Sequence, residues 1–192
     1  MKILILGGDG YLGWPTAMHF SSRGHEVTVV DNYLRRKASE DVGVKFLYDN
    51  PNLIERAKIW EKVSGFKINV VIGDLADPSL IRSLFDGSID HNWPMKSNCS
   101  GSPDTVIHYA EQPSAPYSMI DYNRANETLH NNIIVTNNLM FAARDYSPET
   151  HIIKLGTMGE YGTPKIDIEE GWIDISHKGK KDTFLFPRQA SS

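Results

Sequence analysis

The feature that most constrains this chain is a glycine cluster and its position. Gly7-Gly8-Asp9-Gly10-Tyr11-Leu12-Gly13 follows the apolar run Lys2–Leu6 and overlaps the start of a stretch, Tyr11 to Arg23, that reads as a helix. The run is short and bounded by glycine, as expected of a strand buried on both faces. Pro15 falls in the helix's first turn, where proline is tolerated, and Gly24 falls just past its end. Glu26–Asp31, rich in valine, reads as a second strand, which completes a βαβ unit. The cluster fits G-x-x-G-x-x-G from Gly7 and G-x-G-x-x-G from Gly8. Such glycines permit a tight turn and let the backbone approach a pyrophosphate at the N-terminus of the next helix, where free N–H groups and the helix dipole favour negative charge. In this context the pattern predicts a dinucleotide site. With it comes an α/β fold of the doubly wound Rossmann type, a parallel sheet with helices on both faces.

The rest of the chain extends the alternation. Within an excursion from Asn32 to Gly65, Leu53, Ala57 and Trp60 share a helix face. Glu55, Arg56, Lys58, Glu61 and Lys62 lie opposite and read as a solvated surface. Lys67–Gly73, Thr105–His108 and His151–Leu155 read as further strands, Pro78 to Phe85 as a short helix, and Met119 to Arg144 as a long one. On the long helix Tyr122, Ala125, Leu129, Ile133, Thr136, Met140 and Ala143 form one stripe, most of it expected to be core packing. Asp86–Pro103 is polar and reads as a surface insertion, expected to be cut first by proteases. Ile166, Ile168, Trp172, Ile173 and Ile175 suggest a hairpin around Gly171 with Lys178–Lys181 as its exposed tip. The expected organisation is a nucleotide-binding domain over 1–162 and a hairpin or loop segment over 163–192.

Composition closes off several classes. A net charge of −4 over 192 residues gives no general attraction to nucleic acid or an anionic membrane, so an anionic ligand must be held by a local site. No run approaches the roughly 20 apolar residues of a membrane span. Cys99 is the only cysteine, which rules out an intrachain disulfide and suits a reducing cytoplasm, the expected location. The sequons at Asn98 and Asn126 read as chance, no metal is expected, and a homo-oligomer is allowed for.

Asp31 ends the second strand, where a carboxylate accepts hydrogen bonds from the adenosine ribose and repels a 2′-phosphate. That favours NAD over NADP. Arg35 and Arg36 pull the other way, since a nearby arginine accommodates that phosphate, but the acid holds the strand end itself. Asp74, in Gly73-Asp74-Leu75, either meets the adenine amino group or serves a turn.

Together with Asn132-x-x-x-Thr136-x-Asn138-Leu139 and the strand ending at His108, these motifs resemble the extended short-chain dehydrogenase/reductases that remodel nucleotide sugars. Where typical members place alanines after the histidine, this chain has His108-Tyr109-Ala110-Glu111-Gln112. The segments GGDGYLGW, VDNYLRR, EQPSAPYSMID, HNN, KLGTMGEYGTPKIDIEEG and PRQASS are similar to the UDP-sulfoquinovose synthase branch of that family. The resemblance spans the chain apart from Asp86–Pro103. It implies NAD, UDP-glucose and a sulfite donor. Carbon 4 of the sugar is oxidised, water is lost across carbons 5 and 6, sulfite adds at carbon 6, and hydride returns to carbon 4. Thr157 falls where the family keeps a catalytic Ser or Thr, whose hydroxyl bonds the carbon-4 oxygen. The Asp-Glu pair that follows it in 4,6-dehydratases is replaced by Met158 and Gly159, which argues against an ordinary dehydratase. Glu160 and Glu111 are either groups near the sugar or structural acceptors, while His108 is expected to pack rather than react. On the cofactor side the resemblance also implies Tyr11, Leu12, Asn32, Leu75, Tyr109, Gln112, Asn132 and Leu155. On the substrate side it implies Pro116, Tyr117, Ser118, Arg188 and Gln189.

The family's Tyr-x-x-x-Lys base lies on a helix beyond Gln189-Ala190-Ser191-Ser192. The expectation is therefore an N-terminal portion without its C-terminal substrate part, inactive by itself. Three readings compete: a UDP-sulfoquinovose synthase, another epimerase or dehydratase of the extended family, and a non-catalytic NAD-binding module.

Overall fold

A computed structural model describes residues 1–88, 101–156 and 171–186. The chain divides into two units, Met1–Lys154 and Leu155–Ser192. In the first, β1 (Lys2–Leu6), β2 (Glu26–Asp31), β3 (Asn69–Ile72), β4 (Thr105–His108) and β5 (His151–Lys154) form one sheet in the order β3-β2-β1-β4-β5. Every pairing in it is parallel. Between the strands run α1 (Gly13–Ser21), α2 (Leu34–Asp41), α3 (Leu53–Ser64), α4 (Pro78–Asp86), α5 (Ala115–Ser118) and α6 (Tyr122–Tyr146).

The twofold period of the strands explains why these apolar runs carry no polar alternation. Leu4 and Leu6 of β1, Val30, Val71 and Val106 point to one face and pack with Leu80, Ile81, Leu84 and Phe85 of α4 and Val135 and Leu139 of α6. Ile3, Ile5, Val27, Val29, Val70 and Ile107 point to the other and pack with Trp14 and Ala17 of α1 and Leu53 and Ala57 of α3. Each such fully buried side chain contributes roughly 1.5–3 kcal/mol, which holds both layers to the sheet.

The strands lie close to the sequence reading, and the helices depart from it in instructive ways. The expected Met119–Arg144 helix is α6, which starts three residues later because Asp121 caps it by accepting the N–H of Arg124 at 2.9 Å, and the one-turn α5 before it has no counterpart in the sequence reading. The expected stripe on α6 is largely wrong: Tyr122 is 80% exposed, Leu129 60% and Ile133 61%. The buried face is Val135, Leu139, Ala142 and Ala143. Hydrogen bonding decides the rotation. Asn138 Nδ2 donates to the carbonyls of Leu75 and Ala76, at 3.1 and 3.0 Å, and Asn132 clasps the loop after β4, so polar residues are needed on the inner side. α2 has no counterpart in the sequence reading, because Leu34 and Ala38 are its only apolar residues.

In the second unit, β6 (Gly171–His177) and β7 (Lys180–Phe186) pair antiparallel. Gly171 begins β6 and is not the turn, which corrects the expected centre of the hairpin. The turn is Lys178-Gly179, with φ of 49° and 75°, the mirror-image geometry that suits the twist of a two-residue hairpin. The tip at Lys178–Lys181 is as expected. Ile166, Ile168 and residues 89–100 of the expected insertion lie outside the described residues. Among the described residues, no helix is long and apolar enough to cross a membrane.

Candidate dinucleotide site

In a sheet of this order the connections from β1 and β4 depart in opposite directions, and ligands bind at the carboxyl ends of the strands where that reversal falls. The glycine loop, the end of β2 and the loop after β4 all lie on this edge. The N–H groups of Gly7 and Gly8 both donate to the Val30 carbonyl, at 2.8 and 3.1 Å, which fastens the loop to β2. Three of the glycines are required by the protein's own packing. A Cβ on Gly7 would lie 2.7 Å from the carbonyl carbon of Tyr109, one on Gly8 2.5 Å from Cβ of Val29, and one on Gly13 2.1 Å from the Gly7 carbonyl oxygen. Gly10 is different, since its nearest neighbour would be the Gly7 oxygen at 3.4 Å. Among the described residues, nothing in the packing requires a glycine there. Tyr11 and Leu12 beside it are exposed. These observations fit a dinucleotide pyrophosphate at the start of α1.

Asp31 closes β2 with its carboxyl turned to the loop. Its Oδ2 accepts the N–H of Asp9 at 2.9 Å and its Oδ1 that of Tyr33 at 2.7 Å. Burial raises its pKa above the ordinary carboxylate value, outweighing those two N–H bonds. Asn32 accepts the N–H of Leu34 at 2.9 Å, and Tyr33 takes a left-handed backbone, φ 60°, with its hydroxyl accepting the N–H of Leu53. Arg35 is exposed. Arg36 lies against Asp9, with Nε to Oδ2 at 2.7 Å and Nη2 to Oδ1 at 2.8 Å. Arg56, read as a solvated surface charge, is a correction. Its guanidinium meets Asp9 Oδ1 at 2.5 Å and sits 4.8 Å from the centre of the Trp14 ring. Sequence reasoning missed both Asp9 and Arg56 as site residues. Asp74 is exposed and accepts the Ala76 N–H at 2.9 Å, while Leu75 is buried in the core.

After β4 the chain is pinned by side-chain amides. The Gln112 N–H donates to Asn132 Oδ1 at 2.9 Å, and Asn132 Nδ2 donates back to the Gln112 carbonyl at 3.2 Å. Tyr109 packs against the layer of α1 and α3. Glu111 pairs with Lys154 at 2.5 Å. Tyr117 is buried and donates its hydroxyl to Glu127 at 2.8 Å, Pro116 lies in the first turn of α5, and Ser118 Oγ donates to the Ala115 carbonyl at 2.9 Å. Leu155 follows β5 and is half-exposed. Thr157, Met158, Glu160, Arg188 and Gln189 lie outside the described residues.

His108 is buried in the core, as expected of a packing residue. Its Nδ1 accepts the Ala110 N–H at 3.2 Å, so the ring's proton sits on Nε2 and points to Thr136 Oγ1, also at 3.2 Å. Burial lowers its pKa from 6.5 to about 4. The unfolded chain therefore binds one more proton between those values, and stability falls as pH drops through them. The loss is about 2 kcal/mol near pH 5 at 1.36 kcal/mol per unit, or about 4–8 °C in melting temperature. Thermal melts at pH 7 and 5 should show that drop, and His108→Asn should shrink it. An unchanged difference between the two pH values in the variant assigns the acid sensitivity elsewhere.

Over its whole length the chain is 44% identical to the chloroplastic UDP-sulfoquinovose synthase of Spinacia oleracea, covering 37% of that protein. It is 39% identical, again over its whole length, to the UDP-sulfoquinovose synthase of Sulfolobus acidocaldarius, covering 46% of it. The chain thus spans less than half the length of these relatives. Among solved structures, the fold matches the UDP-glucose 4-epimerase of Bifidobacterium longum in complex with NAD+ and UDP. The TM-score is 0.61 at 22% identity, covering 86% of this chain and 40% of that one. A family model matches residues 3–173, taking in the glycine loop, Asp31 and the clasped loop after β4, and the chain accordingly belongs to the NAD dependent epimerase/dehydratase family.

Proposed function

We propose that the polypeptide carrying this chain makes UDP-sulfoquinovose from UDP-glucose and sulfite, with water released as the sulfonate replaces the carbon-6 hydroxyl. The observation that carries this reading is identity of 44% and 39%, along the whole chain, to two proteins of that name. NAD supplies a reversible hydride acceptor for carbon 4 of the sugar. The chain's own residues bind and orient. Gly8, Gly10 and Gly13 bring backbone N–H groups to the pyrophosphate, and Asp31 takes the ribose hydroxyls. Asp74 has a second carboxylate oxygen to offer the adenine amino group. The Gln112–Asn132 clasp fixes the loop from which Glu111 and Pro116–Ser118 face the sugar. Thr157 holds the carbon-4 oxygen, with Glu160 nearby.

The test is a chimera in which this chain is continued by the remaining length of the spinach relative. Its products from UDP-glucose and NAD are separated by chromatography and weighed, with and without sulfite. A sulfonated sugar nucleotide formed only with sulfite is the expected result. A sulfite-independent epimer of unchanged mass points instead to an epimerase, and no product with NAD bound points to a non-catalytic module.

A further inference from the structure

Arginine near the end of the second strand is the usual means of accommodating a 2′-phosphate, and beside that strand end this chain carries Arg36 and Arg56 as well as the exposed Arg35. Neither Arg36 nor Arg56 is open. Asp9, between Gly8 and Gly10, donates its own N–H to Asp31 Oδ2 at 2.9 Å, which fixes its backbone against the acid at the strand end. Its side chain then takes both arginines. Arg36 meets it as a fork, Nε to Oδ2 and Nη2 to Oδ1. The remaining edges of Arg36 donate to the carbonyls of Asn50 and Pro51, both at 2.9 Å. Arg56 Nη2 donates to Asp9 Oδ1 at 2.5 Å and to the Asp9 carbonyl at 3.2 Å, with its plane lying over Trp14. The Arg36, Arg56 and Asp9 side chains are 25%, 15% and 11% exposed, so the pairs are little screened by water.

We propose that Asp9 is a specificity-determining residue: it occupies Arg36 and Arg56 as an internal anion in place of a 2′-phosphate, and so favours NAD over NADP. This rests on reading the glycine loop as the NAD site. A phosphate seeking Arg36 must displace two charge-assisted hydrogen bonds of good geometry, and it gains nothing from charge. Asp9 and Asp31 together cancel Arg36 and Arg56, so a doubly charged group meets a neutral cluster with a carboxylate at its front. Asp31 alone repels the phosphate but leaves Arg36 and Arg56 free to compensate; Asp9 removes their share and leaves only the exposed Arg35. The role is one of positioning, exerted through Arg36.

Calorimetric titration of the chain with NAD and with NADP tests it. In Asp9→Ala, the ratio of NADP to NAD affinity should rise by about ten-fold, the scale of one charged hydrogen bond regained. Asp9→Asn keeps the side chain's shape and should move the ratio in the same direction, which reads the effect even where the alanine variant melts early. Asp9→Ala combined with Arg36→Ala should lose the gain. A merely structural Asp9 weakens both cofactors equally, so an unchanged ratio in both single variants overturns the inference while the NAD site stands. Absence of NAD binding in the unsubstituted chain brings down the site and the inference together.

Discussion

Gly10→Val is expected to lower NAD affinity by at least about 100-fold, close to 2.8 kcal/mol, while leaving the fold intact. The separation of the two effects is what makes the substitution informative. At Gly7, Gly8 and Gly13 an added Cβ falls within 2.7 Å of the protein's own atoms, so any side chain there disturbs the fold before it disturbs a ligand. At Gly10 the same atom has 3.4 Å of clearance from the Gly7 carbonyl oxygen, an ordinary contact. The γ carbons of valine then extend into the space in front of the loop, where the pyrophosphate must come close enough to reach backbone N–H groups. The size of the loss matches the 1–3 kcal/mol typical of forcing extra methyl groups into a filled site. Gly13→Ala is the contrasting control: it should melt early, because its Cβ would stand 2.1 Å from the Gly7 oxygen. Calorimetric titration with NAD, run beside thermal melts, checks both. A folded Gly10→Val chain with undiminished affinity would mean that the phosphates do not approach this loop.

What could be read in the sequence was whatever leaves a local pattern. The five parallel strands are short apolar runs because both of their faces are covered, and the glycine cluster announces its turn by composition. Asp31 was visible for the same reason, as an acid at a strand end. The misreadings share another cause. On α6 the hydrophobic period pointed to Tyr122, Leu129 and Ile133, yet the inward face is set by Asn132, Thr136 and Asn138 serving loop carbonyls and a buried histidine. Arg56 read as surface because its partner lies 47 residues back, and no periodicity records such a pairing. Asp9 was counted as an unspecified position inside the glycine motif. Its importance comes from two arginines that only the packing of α2 and α3 beside the loop brings to it.

Thr157→Val in the chimera is expected to lower kcat by about 10²–10³-fold with a much smaller change in KM, the range for removing one donor from an oxyanion site. The residue follows β5 closely in the chain, and β5 ends at Lys154 on the carboxyl edge of the sheet, the edge that carries the glycine loop and Asp31. Oxidation at carbon 4 builds negative charge on its oxygen as the hydroxyl proton leaves. A threonine hydroxyl stabilises that charge by donating to it, but it cannot take the proton, because an alcohol is far too weak a base near neutral pH. That task falls to the tyrosine–lysine pair implied by the family resemblance. The two roles predict different signatures. Losing the donor lowers kcat at every pH with the profile's shape kept, whereas losing the base removes the fall in rate on the acid side, where that base would be protonated. Valine keeps the threonine's shape and deletes only the hydroxyl, and Thr157→Ser should restore most of the rate. A valine variant that turns over at the parental rate would remove Thr157 from the chemistry.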